Sequence, residues 1–263
     1  MTWDIRSADF LIDVAAGKIP GVSAINKFGQ NDDVDTGTVP ETVWNGPTAR
    51  WVPPTAARIH QIASTDNTAD NSGGTGALTV VVMGLDENWV EQQEVVTLNG
   101  TTDVPTVNAY TRIFRLGVAT AGSGKTNAGT ITATADTDAT VTAQIAVGDS
   151  SSQMAVWTVP AGKTALIVTA FGAVHRQGAG SKGAMVEIAL HVTTGLNAAN
   201  PVEVNAQTFA LGVDGTSGIN YSYRLPKRVD GPADIEVVVP YVSDSDLVVS
   251  AGFDAIYGDF THA

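Results

Sequence analysis

Residues Ala121-Gly122-Ser123-Gly124-Lys125-Thr126 spell AGSGKT, the lettering of a phosphate-binding loop. Such a loop reads Gly-x-x-x-x-Gly-Lys-Ser/Thr between a strand and a helix, whose N-terminal amides cradle the phosphates. Here the first glycine position holds Ala119, and the NAGTITATA that follows is Gly-broken and β-branched, unfit for the required helix. A second GKT, Gly162-Lys163-Thr164, stands in VPAGKTALIV between two strand-like runs. Both are read as turns that open strands.

The acidic stretch NDDVDTG, with Asn31, Asp32, Asp33, Asp35 and Gly37, offers alternating oxygens as a calcium loop does. Counted from Asn31, however, the sixth residue is Thr36 instead of glycine and the twelfth is Thr42 instead of glutamate. The default reading is an Asx-rich turn, with a looser cation site on Asp32, Asp33 and Asp35 left open. His60, His175, His191 and His262 are isolated; His175 and His191 fall in strand-like runs and could face one another, but no third ligand keeps a fixed spacing with them. There is no Gly-x-Ser-x-Gly elbow, and Asp244 and Asp246 in SDSD read as a hydrophilic turn. With no cysteine, thiol catalysis is excluded. The expectation is a chain without catalytic residues, cofactor or dedicated metal site.

The elements available to position side chains are almost all strands. LTVVVMGLD (78–86) and WVEQQEVVTL (89–98) flank an Asp86-Glu87-Asn88 turn, a hairpin signal. TITATADTDATVTAQIAV alternates threonine with apolar or small residues at period two, as half-buried strands do. Further runs at 109–120, 154–159, 164–174, 184–194, 202–211, 219–225, 234–242 and 247–258 are separated by turn clusters at sandwich spacing. One short helix fits 7–17, with Ser7 as N-cap and Gly17 as stop. Residues 18–55 carry five prolines and no clear period, which suggests an irregular extended arm. The expected organisation is all-β: an N-terminal arm (1–55), a first β domain (56–148) and a second antiparallel β-sandwich or jelly-roll-like domain (149–263), with the junction in VGDSSSQ.

The 263 residues are 43% hydrophobic and only 16% charged, against about a quarter charged in ordinary soluble domains. A net charge of -13 disfavours nucleic acid, for which RLPKR (Arg224, Lys227, Arg228) is the one basic cluster. No apolar run approaches the roughly 20 residues needed to span a bilayer, and the N-terminus lacks a basic stretch followed by an apolar one. The expectation is a soluble protein stabilised by packing and assembly.

Four segments carry a resemblance: GKIPGVSAINKFGQNDDVDTG, VWNG, VVMGLDENWVEQQEVVTLNGTTDV and TVPAGKTALI, with VSAGFDAIY near the end. Together, from about residue 17 to 258, they are similar to structural proteins of tailed bacteriophages. The resemblance implies a non-enzymatic building block of the virion, with a capsid decoration (cement) protein at capsomer junctions as the leading reading. Its partners would be the major capsid protein or head–tail proteins, and further copies of itself. A neck or tail ring component is the alternative within that class. Phe10, Leu11 and Ile12, and Trp44 and Trp51 in the arm, are candidate interface anchors, since buried aromatics dominate interfaces. From other classes, a receptor- or carbohydrate-binding tail module would use Trp157, Phe171, Tyr221 or Tyr223, and a polysaccharide depolymerase would draw its carboxylates from distant strands.

Overall fold

A computed structural model describes residues 8–177, 183–213 and 217–260. The chain opens with α1 (Ala8–Ala15), β1 (Val22–Val34) and β2 (Glu41–Thr42). The first half continues through β3 (His60–Ser64), β4 (Ala77–Leu85), β5 (Glu91–Thr97), β6 (Val104–Pro105), β7 (Arg112–Ala121), β8 (Ile131–Ala135) and β9 (Val141–Ile145). The second half holds β10 (Val156–Val159), β11 (Thr164–Arg176), β12 (Ala184–Thr194), β13 (Val202–Val213), β14 (Ser217–Asp230), β15 (Ala233–Val242) and β16 (Leu247–Gly258).

The strands form four antiparallel sheets, an all-β, sandwich-like architecture. In the first half, β6-β3-β8-β9 and β5-β4-β7 enclose a core of Ile62, Val80, Val82, Leu98, Tyr110, Ile113, Leu116, Ile131 and Ile145. In the second half, β1-β16-β11-β14 lies against β10-β15-β12-β13, with β2 added to β15. The alternation legible in the sequence sets the facing: Val186, Ile188, Leu190, Ile235, Val237, Val249, Ala251 and Phe253 all point into one core.

Part of the segment expected to be an irregular arm is a regular strand zippered into the second sandwich. β1 pairs along β16 from Val22↔Gly258 to Val34↔Leu247. It escapes a period-two reading because it is an edge strand whose polar Asn, Gln and Lys occupy both faces. At Gly29 a Cβ would sit 2.1 Å from the Val43 carbonyl oxygen and 2.4 Å from the Ala155 nitrogen, so only glycine permits the crossing there. The two cores also interlock. Trp44, Trp51, Met154 and Val156 from outside the first β region complete its core, while Leu85, Trp89 and Phe114 reach into the second.

Candidate functional site

In AGSGKT three of the amides are already committed. Gly122 N–H donates to the Gly76 carbonyl (2.8 Å), Gly124 N–H to Thr75 (2.7 Å) and Lys125 N–H to Gly122 (3.1 Å). The stretch is therefore the turn between β7 and β8, laid against the 74–76 backbone. The second GKT closes the turn between β10 and β11. Lys163 N–H bonds the Pro160 carbonyl at 3.2 Å, and its ammonium pairs with Asp259 at 2.8 Å.

The carboxylates of Asp33, Asp35 and Asp246 bring oxygens within 4.8 Å of one another, so the acidic turn meets the end of the β15–β16 connection. The charge of Asp35, then burial, then Asp246 and Glu41 raise the Asp33 pKa. Asp32 lies on the same turn and accepts from Gln30. The histidines serve separate structures. His60 is fully buried edge-on to Tyr110, with Nδ1 donating to the Arg58 carbonyl at 3.0 Å. His191, on β12, bonds Glu203 at 2.5 Å, and Arg50 bridges Glu203 and Glu236 at 3.3 and 2.9 Å. His175 stands exposed on β11 in the other sheet, and His262 lies outside the described residues.

Of the candidate anchors, Trp44 and Trp51 fill their own chain's first core, at 2% and 6% exposure. Their indole N–H groups donate to Thr48 (2.8 Å) and Thr142 (2.9 Å) carbonyls, so neither is left for a partner. Phe10 packs with Val14 against Ile256, while Leu11 and Ile12 on the same short helix face outward. The groove expected around Trp157 does not form there. That ring is wholly buried in the second core, edge-on to Tyr257 at 5.0 Å. Phe171 remains half-exposed on β11, and Tyr221 and Tyr223 cluster with Phe209 where β13 and β14 approach.

Two features were not readable from residue type. One is a cleft of about 600 Å³ between the halves, lined by Asn26, Met83, Glu91, Gln93, Arg115 and Tyr257. Tyr257 O–H donates to Glu91 at 2.9 Å, and the Arg115 guanidinium donates to the Asn26 carbonyl at 2.9 Å. Beside it Lys27 is buried with its ammonium nitrogen on the Phe114 carbonyl, and burial, aided by the Arg115 charge, pulls its pKa well down. This cleft couples the two halves.

The other feature is the end of the second sandwich, where β13 and β14 terminate their sheets. The β14 edge is blunted. Tyr223–Pro226 leave the ladder between Ser222↔Thr169 and Lys227↔Ile167, and Pro226 with Arg224 and Arg228 stud it. The β13 edge is less protected, with one bulge at Ala206, whose carbonyl accepts from the Lys227 ammonium at 2.7 Å. Its 12 residues carry a single charge, Glu203, while Val202 and Val204 are 58% and 50% exposed. A long edge of this kind presents unpaired backbone groups that another strand can pair with.

No family model and no curated protein matches the chain. Among solved structures, a bacterial lipoprotein from Bacteroides thetaiotaomicron is similar at 8% identity and a TM-score of 0.17, over 87% of this chain and 98% of that one. At that score the likeness carries no argument.

Proposed function

We propose that this chain is a non-enzymatic building block of a tailed-phage particle, a decoration protein that binds capsomer junctions as a homo-oligomer. In this reading the long β13 edge makes the contact between subunits. That edge is the observation that carries the proposal. A strand of 12 residues, about 40 Å long, pairs with its symmetry mate to continue the β10-β15-β12-β13 sheet across a twofold. Val202 and Val204 add apolar contact, and the acidic net charge keeps the assembly from associating further.

Supporting the phage reading, the segments that carry the resemblance are neighbours in space. Residues 22–34 and 247–258 are register partners, and TVPAGKTALI runs into β11 on the other side of β16. The copy number of this chain in purified particles, by quantitative mass spectrometry against the major capsid protein, tests the placement. A count on the order of hundreds supports decoration, whereas about six to eighteen moves the protein to a neck or tail ring. Absence from particles sinks the virion reading. Light scattering on the purified chain tests the contact independently. The wild type should be oligomeric and Val204→Lys monomeric, and an unchanged mass in the variant would remove β13 from the interface.

A further inference from the structure

Across the outer face of the β1-β16-β11-β14 sheet runs a single row of register partners: Phe28, Gly252, Phe171 and Asn220. A Cβ at Gly252 would lie 2.7 Å from Cζ and 2.9 Å from Cε2 of Phe171, so the missing side chain lets that ring lie down on the sheet. The ring covers the glycine and remains half-exposed. The adjoining row supplies Gln30, Ser250 and Ala173, and Gln153 approaches from the segment joining the two halves. Together these residues bound a groove of about 520 Å³, within the range of small-molecule sites.

The lining decides the ligand class. Its polar groups are amides and a hydroxyl, with no charged side chain among them. Ser250 bonds Gln30 at 2.9 Å, but the side-chain amides of Asn220 and Gln153 have no hydrogen-bond partner among the described residues. An amide offers a donor and an acceptor side by side, which suits two adjacent hydroxyls. A flat aromatic face suits the C–H surface of a pyranose ring. Charges near the groove are engaged: Arg115 stacks 5.8 Å from the Phe28 ring, Asp254 accepts from Asn26 at 2.6 Å, and Asp32 accepts from Gln30.

We infer that this groove is a binding site for a short neutral oligosaccharide, with Phe171 as the stacking platform and Asn220 and Gln153 as the hydroxyl-reading amides. A merely structural ring would shield the glycine and bind nothing. The site is separate from the β13 edge, so its failure would leave the assembly reading untouched.

The test is a titration of the full chain with a panel of neutral hexose and N-acetylhexosamine trisaccharides, followed by amide chemical shifts, with acetate and inorganic phosphate as anion controls. At least one neutral trisaccharide should bind in the millimolar range or tighter and shift Phe171, Asn220 and Gln153. Phe171→Ala and Asn220→Ala should each weaken it roughly tenfold or more with an unchanged spectrum elsewhere, while Phe171→Tyr retains it. Val204→Lys should bind as the wild type does. The inference is overturned if no trisaccharide binds, if binding survives Phe171→Ala, or if only the anions bind.

Discussion

Arg112 on β7 and Asp234 on β15, 122 residues apart, form the charge pair that locks the two halves together. The guanidinium reaches Asp234 through Nε (3.1 Å) and Nη2 (3.0 Å), and Thr158 O–H donates to the same carboxylate. Trp89 and Trp51 flank the guanidinium at 4.9 and 5.8 Å, so the cation is desolvated and stacked. Because both partners are buried, removing one strands the other. Arg112→Met should cost about 3–5 kcal/mol in urea unfolding, and Arg112→Lys should rescue little because it cannot make the forked contact. Arg112→Met combined with Asp234→Leu should recover most of the loss. If the double variant is no better than the single, the pair is not the unit that matters.

A second prediction concerns acid stability. Burial pushes the His60 pKa down to about 4, against weaker opposing pulls from the Arg58 carbonyl and the charges of Asp136 and Asp138. Its Nδ1–H is used, and Nε2 has no partner to receive a proton for. Between the unfolded value of about 6.5 and the folded one, the unfolded chain binds a proton that the native chain does not. Stability therefore rises with pH through this window and is lost on acidification, by up to roughly 3 kcal/mol. His60→Phe, which keeps a ring against Tyr110, should flatten the difference between pH 7 and pH 4 relative to the wild type. Parallel slopes for the two proteins would show that His60 is not the titrating group.

Lys27 gives the complementary case at high pH. Burial, with a contribution from Arg115, lowers its pKa well below 10.5, and its ammonium donates to the Phe114 carbonyl. The unfolded chain again holds the extra proton, so near neutrality this residue subtracts from stability, and the deficit shrinks as pH approaches the unfolded value. Lys27→Met, similar in length and apolar, should raise stability at pH 7 by on the order of 1–2 kcal/mol. The advantage should narrow at pH 9.5. A destabilised variant at both pH values would mean the contact with the Phe114 carbonyl outweighs the buried amine.

Much of the sheet content is legible in alternation alone: the runs at 184–194 and 247–258 coincide with β12 and β16. β1 is not, because an edge strand wedged between two sandwiches has no consistently apolar face; Lys27 is among its buried residues and Phe28 is turned outward. Residue type singled out Trp44 and Trp51 as anchors, yet type says nothing about whose core the ring fills. Phe171 is one of four aromatics that residue type offers for a binding groove, but its partners Gly252 and Phe28 are 81 and 143 residues away in sequence, and only strand register places them in one row. Exposed edges are similarly invisible. VEVNAQTFALGV reads as a strand, and nothing in it says that one side goes unpaired.

The last prediction returns to the turn that resembles a phosphate loop. Its shape depends on Asp70, a fully buried carboxylate that accepts from Ala77 N–H (2.8 Å), Ala128 N–H (2.9 Å), Gly129 N–H (2.8 Å) and Ser64 O–H (2.7 Å). Those bonds tie the 65–76 loop to the segment that follows AGSGKT, and the 74–76 carbonyls then take the glycine amides of the turn. In Asp70→Ala three backbone donors and a hydroxyl lose their acceptor inside the fold, which should cost roughly 3 kcal/mol or more. Asp70→Asn should be nearly as damaging, since its NH₂ would face donors. Hydrogen exchange should show the Ala77, Ala128 and Gly129 amides losing protection in both variants. Asp66→Ala, which removes the turn contacts to the Thr68, Ala69 and Asp70 backbone but keeps the Asp70 carboxylate, should leave those three amides protected. Equal loss of protection in Asp66→Ala would mean that the loop is held by its own turn geometry and not by the buried carboxylate.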